Sequence, residues 1–316
     1  YQKESNTLYS GALMKRHVGF GPGGPGAIYK TTNANATSGF ANSVFFKLSD
    51  YGIDAGADPH VGLTGNKAVS SSDNAAFDAV GRVGIGDIDL SEDGKTLFVV
   101  NLKDKKLYSF LIGSPGVAPA NENAADQAGN IRSYTIPNPQ CSNSEYIPWG
   151  LKFFHGKLYV GVVCTAQTSQ NKADLKATVY EFDPATGAFT NVLVDNSNNA
   201  AFSLNFKRGS VFCNDTDAKA QADWRPWRTS NVVVPTDGFT DAQSCTGGAL
   251  VTYAQPILSD IEFDADGSMV IAFADRFGNQ SGRENEDKNG TLFSGFSQGD
   301  ILRAGPSSVQ FSSWAM

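Results

Sequence analysis

A two-strand unit recurs along the chain, and its recurrence limits the fold more than any other feature of the sequence. Asp87-Ile88-Asp89-Leu90, a turn ending in Asp93-Gly94, and Thr96-Leu97-Phe98-Val99-Val100 align without a gap to a second stretch. That stretch is Asp260-Ile261-Glu262-Phe263, Asp266-Gly267 and Met269-Val270-Ile271-Ala272-Phe273. A third copy runs from Gly150 through His155-Gly156 to Val160, and a fourth from Ser203 through Arg208-Gly209 to Phe212. Each is an apolar strand, a tight turn closed by glycine, and a second apolar strand. Glycine stands where a hairpin turn needs positive φ. Hairpins repeated at long intervals predict a β-propeller.

The copies begin near Asp87, Gly150, Ser203 and Asp260, giving steps of 63, 53 and 57 residues. These exceed the roughly 40–50 of compact propeller repeats, so the blades carry long loops, gathered on one face. Outer strands are legible as Val179-Tyr180-Glu181-Phe182 before a Pro184/Gly187 turn, and as Lys106 to Phe110 and Asp300 to Arg303. The reading is an all-β chain, a β-propeller of five or six blades with seven not excluded, forming one domain over residues 1–316. Thr7-Leu8-Tyr9-Ser10-Gly11 matches the second strand of the unit, so the first blade is expected to lack its innermost strand. The C-terminal segment Val309 to Trp314 would supply it by closing the ring, or a neighbouring chain would donate it and build a filament.

Net charge is −7 with 18% charged residues, so no basic face awaits nucleic acid or anionic lipid. No apolar run is long enough to insert in a membrane. The chain opens at Tyr1 without a signal-peptide pattern, as a processed or excised segment would. Four cysteines predict two disulfides between sequence neighbours, Cys141–Cys164 and Cys213–Cys245, with free buried thiols as the alternative. Four sequons, at Asn35, Asn214, Asn279 and Asn289, fall in predicted loops where glycans would sit. Cysteines and sequons together predict an extracellular glycoprotein.

The start of strand one and the end of strand two share an edge of the hairpin, so their loops collect on one face of the ring. Asp87, Trp149 and Asp260 are expected near its axis, with Arg16, His17, Asp275 and Arg276 around them as the binding face. Asp87 and Asp260 are equivalent in two blades. Converging carboxylates there would hold Ca²⁺, and the alternative is that each caps backbone N–H groups of its own blade. The reading requires no other cofactor. The segment Gly19 to Gly26 carries two prolines and no Lys-Ser/Thr, which excludes a phosphate loop. His17, His60 and His155 are scattered, and no nucleophile-elbow or zinc-protease motif is present.

Leu13 to Tyr29, Gly86 to Gly94, and Gln255 to Ile261 with Ala274 to Gly278 resemble segments of large bacterial cell-surface proteins of the serine-aspartate-repeat adhesin type. In those proteins propeller-like regions precede repeat modules. The resemblance implies a non-catalytic structural or adhesive surface module whose partners are filament neighbours of the same chain, a glycan or another cell-surface ligand. The alternative function is a calcium-dependent propeller hydrolase or sugar-binding enzyme with its site at the channel mouth.

Overall fold

The computed structural model describes residues 1–63, 65–66, 68–120, 129–193, 201–212, 219–229, 243–244, 250–306 and 314–315. The fold is all-β and propeller-type: antiparallel meanders, each running outward in sequence order, packed side by side through their first strands. The first meander is β1 (Thr7–Gly11), β2 (Ala27–Thr32) and β3 (Ala41–Lys47). The second is β4 (Ile85–Leu90), β5 (Thr96–Asn101), β6 (Lys106–Leu111) and β7 (Ile131–Thr135). The third is β8 (Tyr146–Phe154), β9 (Lys157–Cys164), β10 (Lys176–Asp183) and β11 (Ala188–Asn191). After β12 (Phe202–Ser203) come two short pairs, β13 (Ser210–Phe212) with β14 (Lys219–Gln221), and β15 (Gln243–Ser244) with β16 (Leu250–Thr252). The last meander joins β17 (Pro256–Phe263), β18 (Met269–Asp275), β21 (Asp300–Pro306) and β22 (Trp314–Ala315). Between β18 and β21 lie a one-turn helix (Arg276–Gln280), β19 (Asn285–Glu286) and β20 (Leu292–Gly295).

Three of the four predicted hairpins form as read, with Gly94, Gly156 and Gly267 at positive φ in their turns. The fourth does not. Phe202–Ser203 pairs with Ala177 and Lys176 at the edge of the third meander, and Ser210–Phe212 pairs with Lys219–Gln221. Phe202 and Leu204 are buried in the core shared by the third and last meanders, which holds the segment along that edge. β17 therefore packs directly beside β8. Leu258 of β17 lies against Gly161 of β9, and Ile261, Met269 and Ile271 share a core with Val163, Ala177 and Val179.

Among the described residues the first meander has three strands. Gly11 of β1 packs on Ile85 and Ile88 of β4, and Phe46 of β3 meets Phe110 of β6 at 4.9 Å between ring centroids. β1 and β3 thus stand level with the first and third strands of the next blade. Trp314–Ala315 pairs with Gly305–Pro306 of its own sheet, not with the first meander. Residues 307–313 lie outside the described residues.

Three inner strands share an irregularity. Register shifts fall between Ile85 and Ile88 in β4, Pro148 and Leu151 in β8, and Leu258 and Asp260 in β17. At these bulges the backbones approach closely. A Cβ on Gly150 would stand 3.0 Å from the Asp260 nitrogen and the Leu258 oxygen, and one on Gly86 would stand 3.2 Å from Cα of Trp149. Glycine is favoured at both positions because a side chain would crowd the neighbouring strand.

Candidate functional site

The inner strands present a second edge that no strand pairs among the described residues. Its N–H groups need acceptors once packed against a neighbour. Acidic residues of the second blade supply them at alternate positions, as the two-residue period of a strand dictates. Asp87 accepts from Leu151 N at 2.9 Å and from its own Ile88 N at 2.8 Å; Asp89 accepts from Phe153 N at 2.6 Å and Leu90 N at 2.8 Å. Glu92 in the turn accepts from His155 N at 2.7 Å. Burial pushes the Asp87 carboxyl up to about 7 against the pull of those N–H donors, with Asp260 and Asp89 adding to the rise. Asp260 accepts from Ile261 N within its own blade and is exposed.

Both Asp87 oxygens are engaged by backbone, and among the described residues no three His, Cys, Asp or Glu side chains converge. The carboxylate pair does not fit a Ca²⁺ site. Asp87 instead clasps its blade to the next through Leu151 N, while Asp260 serves its own strand.

The loop face holds the residues read as a binding face, and most of them lie inside it. Trp149 is buried in the core between the second and third blades. Arg276 is fully buried. Its guanidinium donates to the carbonyls of Val80 and Arg228 at 2.8 Å and of Asp78 at 3.0 Å, and to Gln255 Oε1 at 2.9 Å, and lies 4.2 Å from the Trp227 ring centroid. Asp275 caps the following helical turn by accepting from Phe277 N, and also accepts from Gln255 N and Gln298 N. Burial pushes its carboxyl up to about 7 against these donors. Arg16 is likewise fully buried. It donates to the carbonyls of Ser72, Asp73 (3.1 Å), Gln280 (3.1 Å) and Glu286 (2.7 Å), while its own N–H donates to Asn279 O at 2.9 Å. Loops carry backbone groups that no sheet satisfies, and guanidinium forks are spent on them.

Two of the three histidines are brought together, while His155 stays apart in its hairpin turn. His17 and His60 meet around the buried Asp73, which accepts from His17 N at 3.0 Å and Val61 N at 3.2 Å. His60 stands between Asp58 Oδ1 at 2.6 Å and the Lys15 carbonyl at 3.0 Å. Burial opposes its proton, but those two acceptors and Asp73 outweigh it and raise its pKa. His17 is pushed down to about 3 by burial, with Arg16 and His60 adding to the effect. Asp73 and His60 escaped the sequence reading because nothing local marks them: positions 16, 60, 73 and 280 meet only in three dimensions.

The Cys141–Cys164 disulfide forms as predicted, with Cα atoms 5.2 Å apart. Cys213, Cys245 and Asn214 lie outside the described residues. Asn35 and Asn289 are exposed in loops. Asn279 is in the helical turn rather than a loop, flanked by buried Gln280 and Ser281, with its carbonyl bound to Arg16. Among the described residues no helix is long and apolar enough to cross a membrane.

No family model matches the chain. It is similar to three colossins of Dictyostelium discoideum: Colossin-A at 25% identity over 286 residues, Colossin-D at 28% over 168 and Colossin-C at 23% over 288. The matches cover 89%, 51% and 89% of this chain but only 2%, 15% and 23% of those proteins. A solved luciferin-regenerating enzyme aligns over 96% of this chain and 74% of its own at 11% identity, with a TM-score of 0.32, too loose a likeness to carry fold or function.

Proposed function

We propose that the chain is a non-catalytic structural or adhesive module of a much longer extracellular surface protein. The observation that carries this reading is the disproportion of the match: 89% of this chain answers to 2% of Colossin-A and 23% of Colossin-C. A unit of that kind is one piece of a large architecture. The disulfide supports an oxidising compartment. The buried charges of the loop face support a scaffold, because Arg16, Arg276 and Asp275 each serve backbone groups. Self-assembly into a filament by strand exchange is the specific form, supported by a first meander of three strands whose outer strand begins with the exposed Ala41, Asn42 and Ser43.

Two measurements test it. Beads coated with the folded protein are expected to be retained on a glycan-bearing cell monolayer while beads coated with heat-unfolded protein wash off. Equal retention of the two sinks the adhesive role. Negative-stain imaging is expected to show filaments with a repeat of one module, and monodisperse particles at high concentration remove the strand-exchange form.

A further inference from the structure

Beside His17 the loop face opens into a cleft of about 470 Å³, within the range of roughly 300–1,000 Å³ that small-molecule sites occupy. Two distant segments laid side by side form part of its polar lining, alongside His17 and Asn66. Glu286 N donates to Ser71 O at 3.1 Å, Ser71 N donates to Asn285 Oδ1 at 3.2 Å, and Ser70 Oγ donates to Glu284 O at 2.9 Å. The same segments are fastened from beneath by the Arg16 guanidinium through Ser72, Asp73 and Glu286. The walls are therefore held in place before any ligand arrives.

Several polar groups on this cleft have no protein partner among the described residues. Both ring nitrogens of His17 are buried without a hydrogen bond, and so is Ser71 Oγ. His17 sits at φ 67, with its backbone N–H pinned by Asp73, so the imidazole is held in the wall by a conformation non-glycine residues seldom adopt. Arg283 is exposed on the rim and pairs with no carboxylate among the described residues. Buried polar groups left unpaired carry a desolvation cost that a ligand recovers. A neutral imidazole offers one donor and one acceptor, a serine hydroxyl offers both, and a guanidinium fork suits a carboxylate.

We propose that this cleft binds an acidic saccharide unit, its carboxylate on Arg283 and its hydroxyls on His17 and Ser71. The inference rests on the adhesive reading and gives it a ligand class. The test is saturation-transfer NMR of the folded chain with galacturonate, galactose and acetate as probes. Galacturonate is expected to bind and galactose to bind more weakly. R283Q, at an exposed position, is expected to weaken galacturonate about tenfold or more while leaving galactose unchanged. H17N keeps a residue type that tolerates positive φ, and S71A removes one hydroxyl; both are expected to weaken the two sugars alike.

Saturation of none of the probes by folded protein overturns the inference, as does acetate binding as well as galacturonate. Galacturonate affinity unchanged in R283Q and S71A overturns it too. The bead assay separates the two levels of the argument. Beads coated with R283Q that are retained like wild type remove this cleft and leave the adhesive module standing, whereas wild-type beads that fail remove the module.

Discussion

The axis and the loop face solve one problem with opposite charges. Along the axis, the carboxylates of Asp87 and Asp89 accept the N–H groups of Leu151 and Phe153, donors that the inner edge of β8 cannot give to another strand. On the loop face, the guanidinium groups of Arg16 and Arg276 donate to carbonyls at loops and one-turn helices that no sheet takes in. Anions serve donors where strands meet, and cations serve acceptors where chains turn. The axial clasp repeats with the strand period and reaches two residues at a time. The loop clasp gathers segments from four or five places at once, so one substitution there undoes more.

The contrast is broken most directly at Arg276. Arg276→Met leaves the carbonyls of Val80, Asp78 and Arg228 buried without their donor. It is expected to cost about 3–5 kcal/mol in denaturant unfolding. A loss no greater than that of an ordinary surface substitution would show that the loop face is not held by its cations. Removing the Cys141–Cys164 link with a double serine variant is expected to cost about 3 kcal/mol, the closure entropy of a loop spanning 23 residues. At the axis, Gly150→Ala pushes a methyl group to 3.0 Å from the backbone of β17 and is expected to cost about 1–3 kcal/mol. Chemical denaturation of both variants ranks them against Arg276→Met.

The last effect is a slope rather than a step. Asp87 and Asp275 are both raised to about 7 in the folded protein, so between their ordinary range and that value the native state holds more protons than the unfolded chain. Their contribution is complete at pH below about 4 and is lost as pH rises through 7. Each group sets a fall of at most about 1.4 kcal/mol per pH unit within that window. Melting temperature is therefore expected to drop from pH 5 to pH 7.5, and Asp87→Asn to flatten that drop. An Asp87→Asn variant whose profile runs parallel to wild type over this interval contradicts the Asp87 assignment.

The hairpins were legible because local chemistry decides them: Asp93-Gly94, His155-Gly156 and Asp266-Gly267 place glycine at the positive-φ turn position between apolar strands. Arg208-Gly209 has the same chemistry, and Gly209 does adopt φ 83, yet no hairpin forms between the strands read there. Burial of Phe202 and Leu204 against the third blade outweighs the turn. Asp87 was picked out as an axial residue, but its partner is a backbone amide 64 residues away in sequence, and no spacing rule points to it. Arg16 and Arg276 read as surface recognition groups because charged side chains ordinarily stay exposed. Their carbonyl partners lie in loops, one-turn helices and the short strand β19, whose places depend on the finished fold.

Arg16 also joins positions far apart along the chain, binding residues 279, 280 and 286 from within the first loop. The bond to Gln280 alone closes a sequence separation of 264 residues. Several hydrogen bonds converge on this one side chain, so its loss frees the loop after β1 from the segment after β18 in a single step rather than contact by contact.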